Sequence, residues 1–335
     1  MKRIAVIGAG SWGTALAIMA ARAGHDLSVW SRNEAVVDSI NRNHLNSIYL
    51  TDALIPHNVR ATNDITAAMN GAELVILAAP SHATRSLLTM MAPGLRSDMI
   101  IVSATKGIEI ETGKRISQVV AEVVSECGRP RFVCLSGPSF AKEVVENNPT
   151  AIVAASEDRF ASRVVQSELS FQNLRIYTND DVIGTELGGS VKNVMAIAAG
   201  MVAGLGFGAN SVAALITRGL AEMTRLALHE GARLETLMGL AGLGDLVLTC
   251  TGNLSRNRFV GRELGLGRSV NEIMAGMNEV AEGVKTTRAV KLLADRTGVE
   301  MPITNEVHAV LYEGKLAWDA ANELMMRPLR EESNQ

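Results

Sequence analysis

The chain has 335 residues, 47% of them hydrophobic and 20% charged, which suits a globular protein with room for two packed domains. Its formal net charge of −3 argues against nucleic-acid binding, which favours a basic chain. Three cysteines (Cys127, Cys134, Cys250) lack CxxC spacing and six histidines are scattered, so reduced thiols and no dedicated metal site are expected. The chain enters a strand at once, with no signal-peptide pattern and no uninterrupted apolar stretch long enough to span a membrane. The expectation is a cytoplasmic protein.

The first element is the apolar run Ile4-Ala5-Val6-Ile7, followed directly by Gly8-Ala9-Gly10-Ser11-Trp12-Gly13 and a helical run from Thr14 to Ala23 that stops at Gly24. A strand, a glycine turn and a helix in this order form a dinucleotide-binding fingerprint. Gly8 permits the turn, Gly10 lets backbone approach a pyrophosphate, and Gly13 lets helix pack on strand. The helix amino end offers free N–H groups and a positive dipole to phosphate. A second strand, Leu27–Trp30, ends at Ser31-Arg32-Asn33. An NAD-selective site usually has an acidic residue at this place; Arg32 instead suits a 2′-phosphate, so NADP is accepted, while Glu34 keeps NAD possible.

Further buried strands are read at Leu74–Ala79, Met99–Ser103, Phe132–Ser136, Ala151–Ala155 and Leu174–Thr178, alternating with helical patterns as in a parallel sheet covered on both faces. Lys106 and Ser139 follow strand ends, where ligands bind in open α/β sheets. Beyond Asn179 the strand signal stops. Helices are expected over Val182–Val202, Val212–Glu230, Leu234–Met238, Val270–Ala275, Thr286–Thr297, Ile303–Tyr312 and Ala317–Leu324. The fold class is therefore α/β: a Rossmann-type parallel-sheet domain over 1–180, then an all-α substrate and catalytic domain over 181–335.

Lys192-Asn193 interrupts the apolar junction helix. Its lysine either snorkels to solvent or faces a desolvated cleft, where its pKa falls and it can move protons. Ser255-Arg256-Asn257 is a donor set suited to a phosphate, and Ser255 can also cap a helix.

Six blocks carry a resemblance: Gly8–Gly13; Ala104-Thr105-Lys106-Gly107; Ser136-Gly137-Pro138-Ser139-Phe140-Ala141; Glu186–Asn193; Gly242-Leu243-Gly244-Asp245; and Ser255-Arg256-Asn257 with Val280-Ala281-Glu282-Gly283. In this order, over essentially the whole chain, they closely resemble the NAD(P)-dependent glycerol-3-phosphate dehydrogenases of bacteria. The resemblance implies a cytoplasmic enzyme that interconverts dihydroxyacetone phosphate and sn-glycerol 3-phosphate for phospholipid synthesis. It implies Lys192 as proton donor and acceptor, and Lys106, Gly137, Ser139, Lys192, Asp245, Ser255, Arg256 and Asn257 as substrate contacts. Cofactor contacts would be Ser11, Trp12, Arg32, Tyr49, Lys106, Ala141, Arg256, Val280 and Glu282, beside Gly8, Gly10 and Gly13 of the fingerprint. Two alternatives stand: a β-hydroxyacid or hydroxyacyl-CoA dehydrogenase of similar build, and a non-catalytic NADP-binding sensor. The apolar helices of the second half serve a homodimer surface or a core equally well.

Overall fold

Ile4-Ala5-Val6-Ile7 is apolar at every position because both faces of its strand are covered. Ile4 and Val6 enter one core, Ala5 and Ile7 another on the opposite face of the sheet. The computed structural model describes residues 1–125, 128–277, 281–329 and 331–332. Cys127 and Val280 lie outside the described residues.

The strands are β1 Arg3–Ile7, β2 Asp26–Trp30, β3 Leu45–Asn46, β4 Leu50–Leu54, β5 Val59–Thr62, β6 Leu74–Leu77, β7 Ile100–Ser103, β8 Arg131–Ser136, β9 Thr150–Ala155 and β10 Leu174–Asn179. Eight form one sheet in the order β10-β9-β8-β7-β6-β1-β2-β5; β3 and β4 form a separate hairpin. From β5 to β8 all pairs are parallel. β9 instead pairs antiparallel with β8, and β10 runs parallel to β9. The sheet is thus mixed where a parallel one was expected. The 137–149 connection holds only the five-residue helix Ala141–Val145, packed against the Ser11–Arg22 helix, so β9 starts at the end of the sheet where β8 stops.

Behind β10 the chain is helical. Val182–Gly204 is the central helix, buried through almost its whole length and apolar on every side. By length and composition alone it is apolar enough to cross a membrane, with a mean hydropathy of 1.2, although Glu186 and Lys192 interrupt the apolar run. Its apolar character has another physical cause here: 83% of the apolar window is buried inside the protein. Around it pack Ala209–His229, Asp245–Thr251, Arg256–Gly265, Glu282–Thr297 and Pro302–Tyr312. Arg256–Gly265 makes its most extensive packing on the central helix, and sequence periodicity did not reveal it as an element.

Candidate active site

A cleft of about 840 Å³ lies between the carboxyl ends of the parallel strands and the helical half. Its floor begins at the glycine turn. Gly8 has φ +116°, and a Cβ there would stand 2.6 Å from the Ala78 carbonyl oxygen; a Cβ on Gly13 would stand 1.9 Å from Gly8 O. Around Gly10 there is open space for 4 Å, which leaves room for a pyrophosphate at the amino end of the Ser11–Arg22 helix. Trp12 lines the same wall, and its buried indole Nε1 has no hydrogen-bond partner. Ser11 Oγ donates to Tyr49 O at 2.7 Å, fixing the β3–β4 hairpin beside the turn. Open space at Gly10 and an orphaned donor at Trp12 fit a bound dinucleotide.

Arg32 is exposed at the end of β2 and lines the cleft with Asn33. His82 lies nearby; burial, then Lys285 and Arg32, lower its pKa. Ala141, at the start of its short helix, lines the wall next to Ser139. Ser139 Oγ donates to Gly137 O at 3.1 Å.

The chemical centre joins both halves. Lys106, from the loop after β7, donates to Asp245 Oδ2 at 2.8 Å and to Gly137 O at 2.9 Å. Lys192, from the central helix, donates to Asp245 Oδ1 at 2.7 Å. One carboxylate thus holds two ammonium groups. Burial pushes the Lys192 pKa down to about 8; Asp245 acts against that and Lys106 acts with it. Lys192 faces the cleft and does not snorkel.

Ser255 caps the Arg256–Gly265 helix, accepting from Arg258 N at 3.2 Å, and its hydroxyl meets Thr249 Oγ1 at 3.1 Å. Asn257 Nδ2 donates to Asn193 Oδ1 at 3.0 Å, while its Oδ1 accepts from Gly283 N at 2.9 Å. Glu282 Oε1 accepts from Ser81 N at 3.0 Å, and burial pushes its carboxyl up to about 7.

Of the residues picked from sequence, Gly8, Gly10, Ser11, Trp12, Arg32, Tyr49, Lys106, Ser139, Ala141, Lys192, Ser255, Arg256, Asn257 and Glu282 line this cleft. Gly13, Gly137 and Asp245 sit behind its wall and act through packing, a carbonyl and a carboxylate respectively. Asn193, Thr249 and His82 also line the cleft and were not picked. Asn193 had a signal, since it stands beside Lys192 in an apolar helix. Thr249 and His82 had none, because single polar residues near helix ends are common.

A glycine-turn sheet domain joined to a helical domain, with a buried lysine in the cleft between, defines a two-domain NAD(P)-dependent oxidoreductase. Residues 3–162 match the family model for the NAD-dependent glycerol-3-phosphate dehydrogenase N-terminus, and residues 181–322 match that for its C-terminus. The chain belongs to the NAD-dependent glycerol-3-phosphate dehydrogenase family. It is 56% identical over 330 residues to glycerol-3-phosphate dehydrogenase [NAD(P)+] of Koribacter versatilis (strain Ellin345), covering 98% of each chain. The protein of that name from Geobacter sulfurreducens is 49% identical, covering 99% of each chain. The crystal structure of glycerol-3-phosphate dehydrogenase from Coxiella burnetii superposes with a TM-score of 0.94 at 42% identity, covering 97% of this chain and 99% of that one.

Proposed function

We propose that the protein interconverts dihydroxyacetone phosphate and sn-glycerol 3-phosphate with NADP or NAD, supplying glycerophospholipid synthesis in the cytoplasm. Residues 1–180 form the dinucleotide-binding domain and 181–335 the substrate and catalytic domain, each lending a few contacts to the other's ligand. The observation that carries this reading is the Lys192–Asp245–Lys106 triad in a cleft beside the glycine turn.

When bound, the reduced nicotinamide supplies a hydride to the substrate carbonyl carbon. Lys192, cationic below about pH 8, stabilises the developing alkoxide and gives it a proton. Asp245 orients that ammonium group, and Lys106 adds positive charge beside the same oxygen. Ser255, Arg256 and Asn257 close the cleft with hydroxyl, guanidinium and amide groups suited to the substrate phosphate. Open space at Gly10, the partnerless Trp12 indole and Arg32 support binding of a dinucleotide with or without a 2′-phosphate.

Turnover of dihydroxyacetone phosphate with NADPH or NADH, followed by loss of reduced-nicotinamide absorbance, tests the reading. Lys192→Ala should lower kcat by at least about 10²–10⁴ and leave dinucleotide affinity nearly intact. Turnover within a few-fold of the parent would remove Lys192 from this role.

A further inference from the structure

Away from the cleft, a second clasp joins the two halves. The Glu186 carboxylate, buried on the central helix, accepts from Ser117 N at 2.6 Å, Ser117 Oγ at 2.6 Å and Arg115 Nη1 at 2.7 Å. Ser117 N belongs to the first turn of the Ile116–Val123 helix, where N–H groups need outside acceptors and negative charge is favoured. Glu186 stands six residues before Lys192, so their side chains leave the helix about 120° apart. It therefore grips the sheet domain while Lys192 faces the cleft.

What Glu186 grips is the base of the loop that carries Lys106. Ile108 and Arg115 pair across an antiparallel bridge, and Glu109 N donates to Lys114 O at 3.0 Å. Those contacts close residues 108–115 into a hairpin that starts two residues after Lys106. Between Glu186 and Lys192, Gly189 lies on the Lys106 stem: a Cβ there would stand 2.5 Å from Ser136 Oγ and 3.7 Å from Lys106 Cγ. Asn193 Nδ2 reaches Lys106 O at 3.5 Å one residue beyond Lys192. The helix and the loop thus touch at several levels, and Glu186 is their charged tie.

We propose that Glu186 is a positioning residue: its hold on Arg115 and Ser117 sets the register between the Lys106 loop and the Lys192 helix, and so brings both ammonium groups onto Asp245. This role rests on Lys192 being the group that exchanges the proton. When the hold loosens, the Lys106 loop withdraws while Lys192 and Asp245, both in the helical half, stay paired. The groups facing Lys192 are Asp245, Lys106, the buried Cys250 thiol and, from the Glu282–Thr297 helix, Glu282. Of these, withdrawal of Lys106 takes away a like charge, so Lys192 holds its proton to higher pH.

Glu186→Gln tests this in the full-length enzyme, with Glu222→Gln as control. Glu222 is also a buried carboxylate at a helix start, accepting from Ile303 N at 2.9 Å and from Thr304 N and Oγ1 at 2.8 and 2.7 Å, but entirely within the helical half. In Glu186→Gln, kcat for dihydroxyacetone phosphate reduction should fall about 10- to 100-fold, as expected for a misplaced reacting group. The dinucleotide KM should change less than kcat, because Lys106 is the one dinucleotide contact that moves. The alkaline limb of kcat against pH should move upward. Glu222→Gln should lose thermal stability and keep the parent limb. An unmoved limb in Glu186→Gln, or an equal shift in Glu222→Gln, overturns the role. Should Glu186→Gln fail to fold, Ser117→Ala, which removes the hydroxyl contact to Glu186, is read the same way; a smaller upward shift supports the role and an unmoved limb overturns it. Retained turnover in Lys192→Ala would instead overturn the reading of Lys192, whatever Glu186→Gln does.

Discussion

At the scale of single residues, the role proposed for Lys192 predicts the pH dependence. Its pKa lies near 8 rather than at the ordinary lysine value, with burial as the main cause. At pH 7 about nine in ten molecules carry the ammonium needed for ketone reduction. Reduction should therefore fall as pH rises through about 8, and alcohol oxidation, which needs the neutral amine, should rise through the same pH. Initial rates in both directions from pH 6 to 10 check the sign; limbs that rise and fall together would point to another group. The role proposed for Arg32 is the cofactor choice. Arg32→Asp replaces a 2′-phosphate partner by a 2′-hydroxyl acceptor. A lost charge-assisted bond is worth roughly 1.5–3 kcal/mol, so the ratio of kcat/KM for NADPH over NADH should drop at least about tenfold. An unchanged ratio would mean that this side chain stays in solvent.

At the scale of elements, what could be read from the sequence follows from periodicity. The apolar runs of β1, β6, β7, β8 and β9 stood out because both faces of each are buried. β5 did not, since Val59-Arg60-Ala61-Thr62 is a short edge strand with one side open. The reversal of β9 was hidden as well: buried strands look alike in either direction. In the helical half, Ser255 marked a possible start for Arg256–Gly265 but its extent escaped notice, because glycine marks usually end helices, while here Gly261 lies inside one. A Cβ on Gly261 would stand 1.9 Å from the Ile197 carbonyl oxygen, so the glycine exists for contact between helices. Gly261→Ala should push the Arg256–Gly265 helix off the central helix, at a cost of about 1–3 kcal/mol or more. Because Ser255, Arg256 and Asn257 begin that helix, the dihydroxyacetone phosphate KM should rise more than the dinucleotide KM, which depends on that helix start through Arg256 alone. A lowered denaturation midpoint with an unchanged substrate KM would separate the packing from the site.

At the scale of the whole molecule, the two halves share one carboxylate. The lysine and serine blocks were legible as separate motifs, but their convergence was implied only by the resemblance, because Lys106, Lys192 and Asp245 are far apart in sequence and meet only through the fold. Asp245 is almost wholly buried, and its two oxygens are divided between a lysine of each half. Asp245→Asn keeps the shape and removes the charge. The buried Lys192 and half-buried Lys106 ammonium groups then face each other without a counter-charge, and breaking a buried pair from one side typically costs about 3–5 kcal/mol. The melting temperature should fall, with the loss greatest at neutral pH, where both lysines are charged, and smaller above the Lys192 pKa. The kinetic limb should also move, and its direction is fixed by the causes at Lys192. Asp245 holds the Lys192 pKa up, so its loss must bring the alkaline limb of reduction below about 8. That shift is opposite to the one expected for Glu186→Gln, where a like charge is withdrawn instead. Measuring both limbs in one buffer series distinguishes the two effects. A limb that rises in Asp245→Asn would show that Lys192 is tuned chiefly by a group other than this carboxylate.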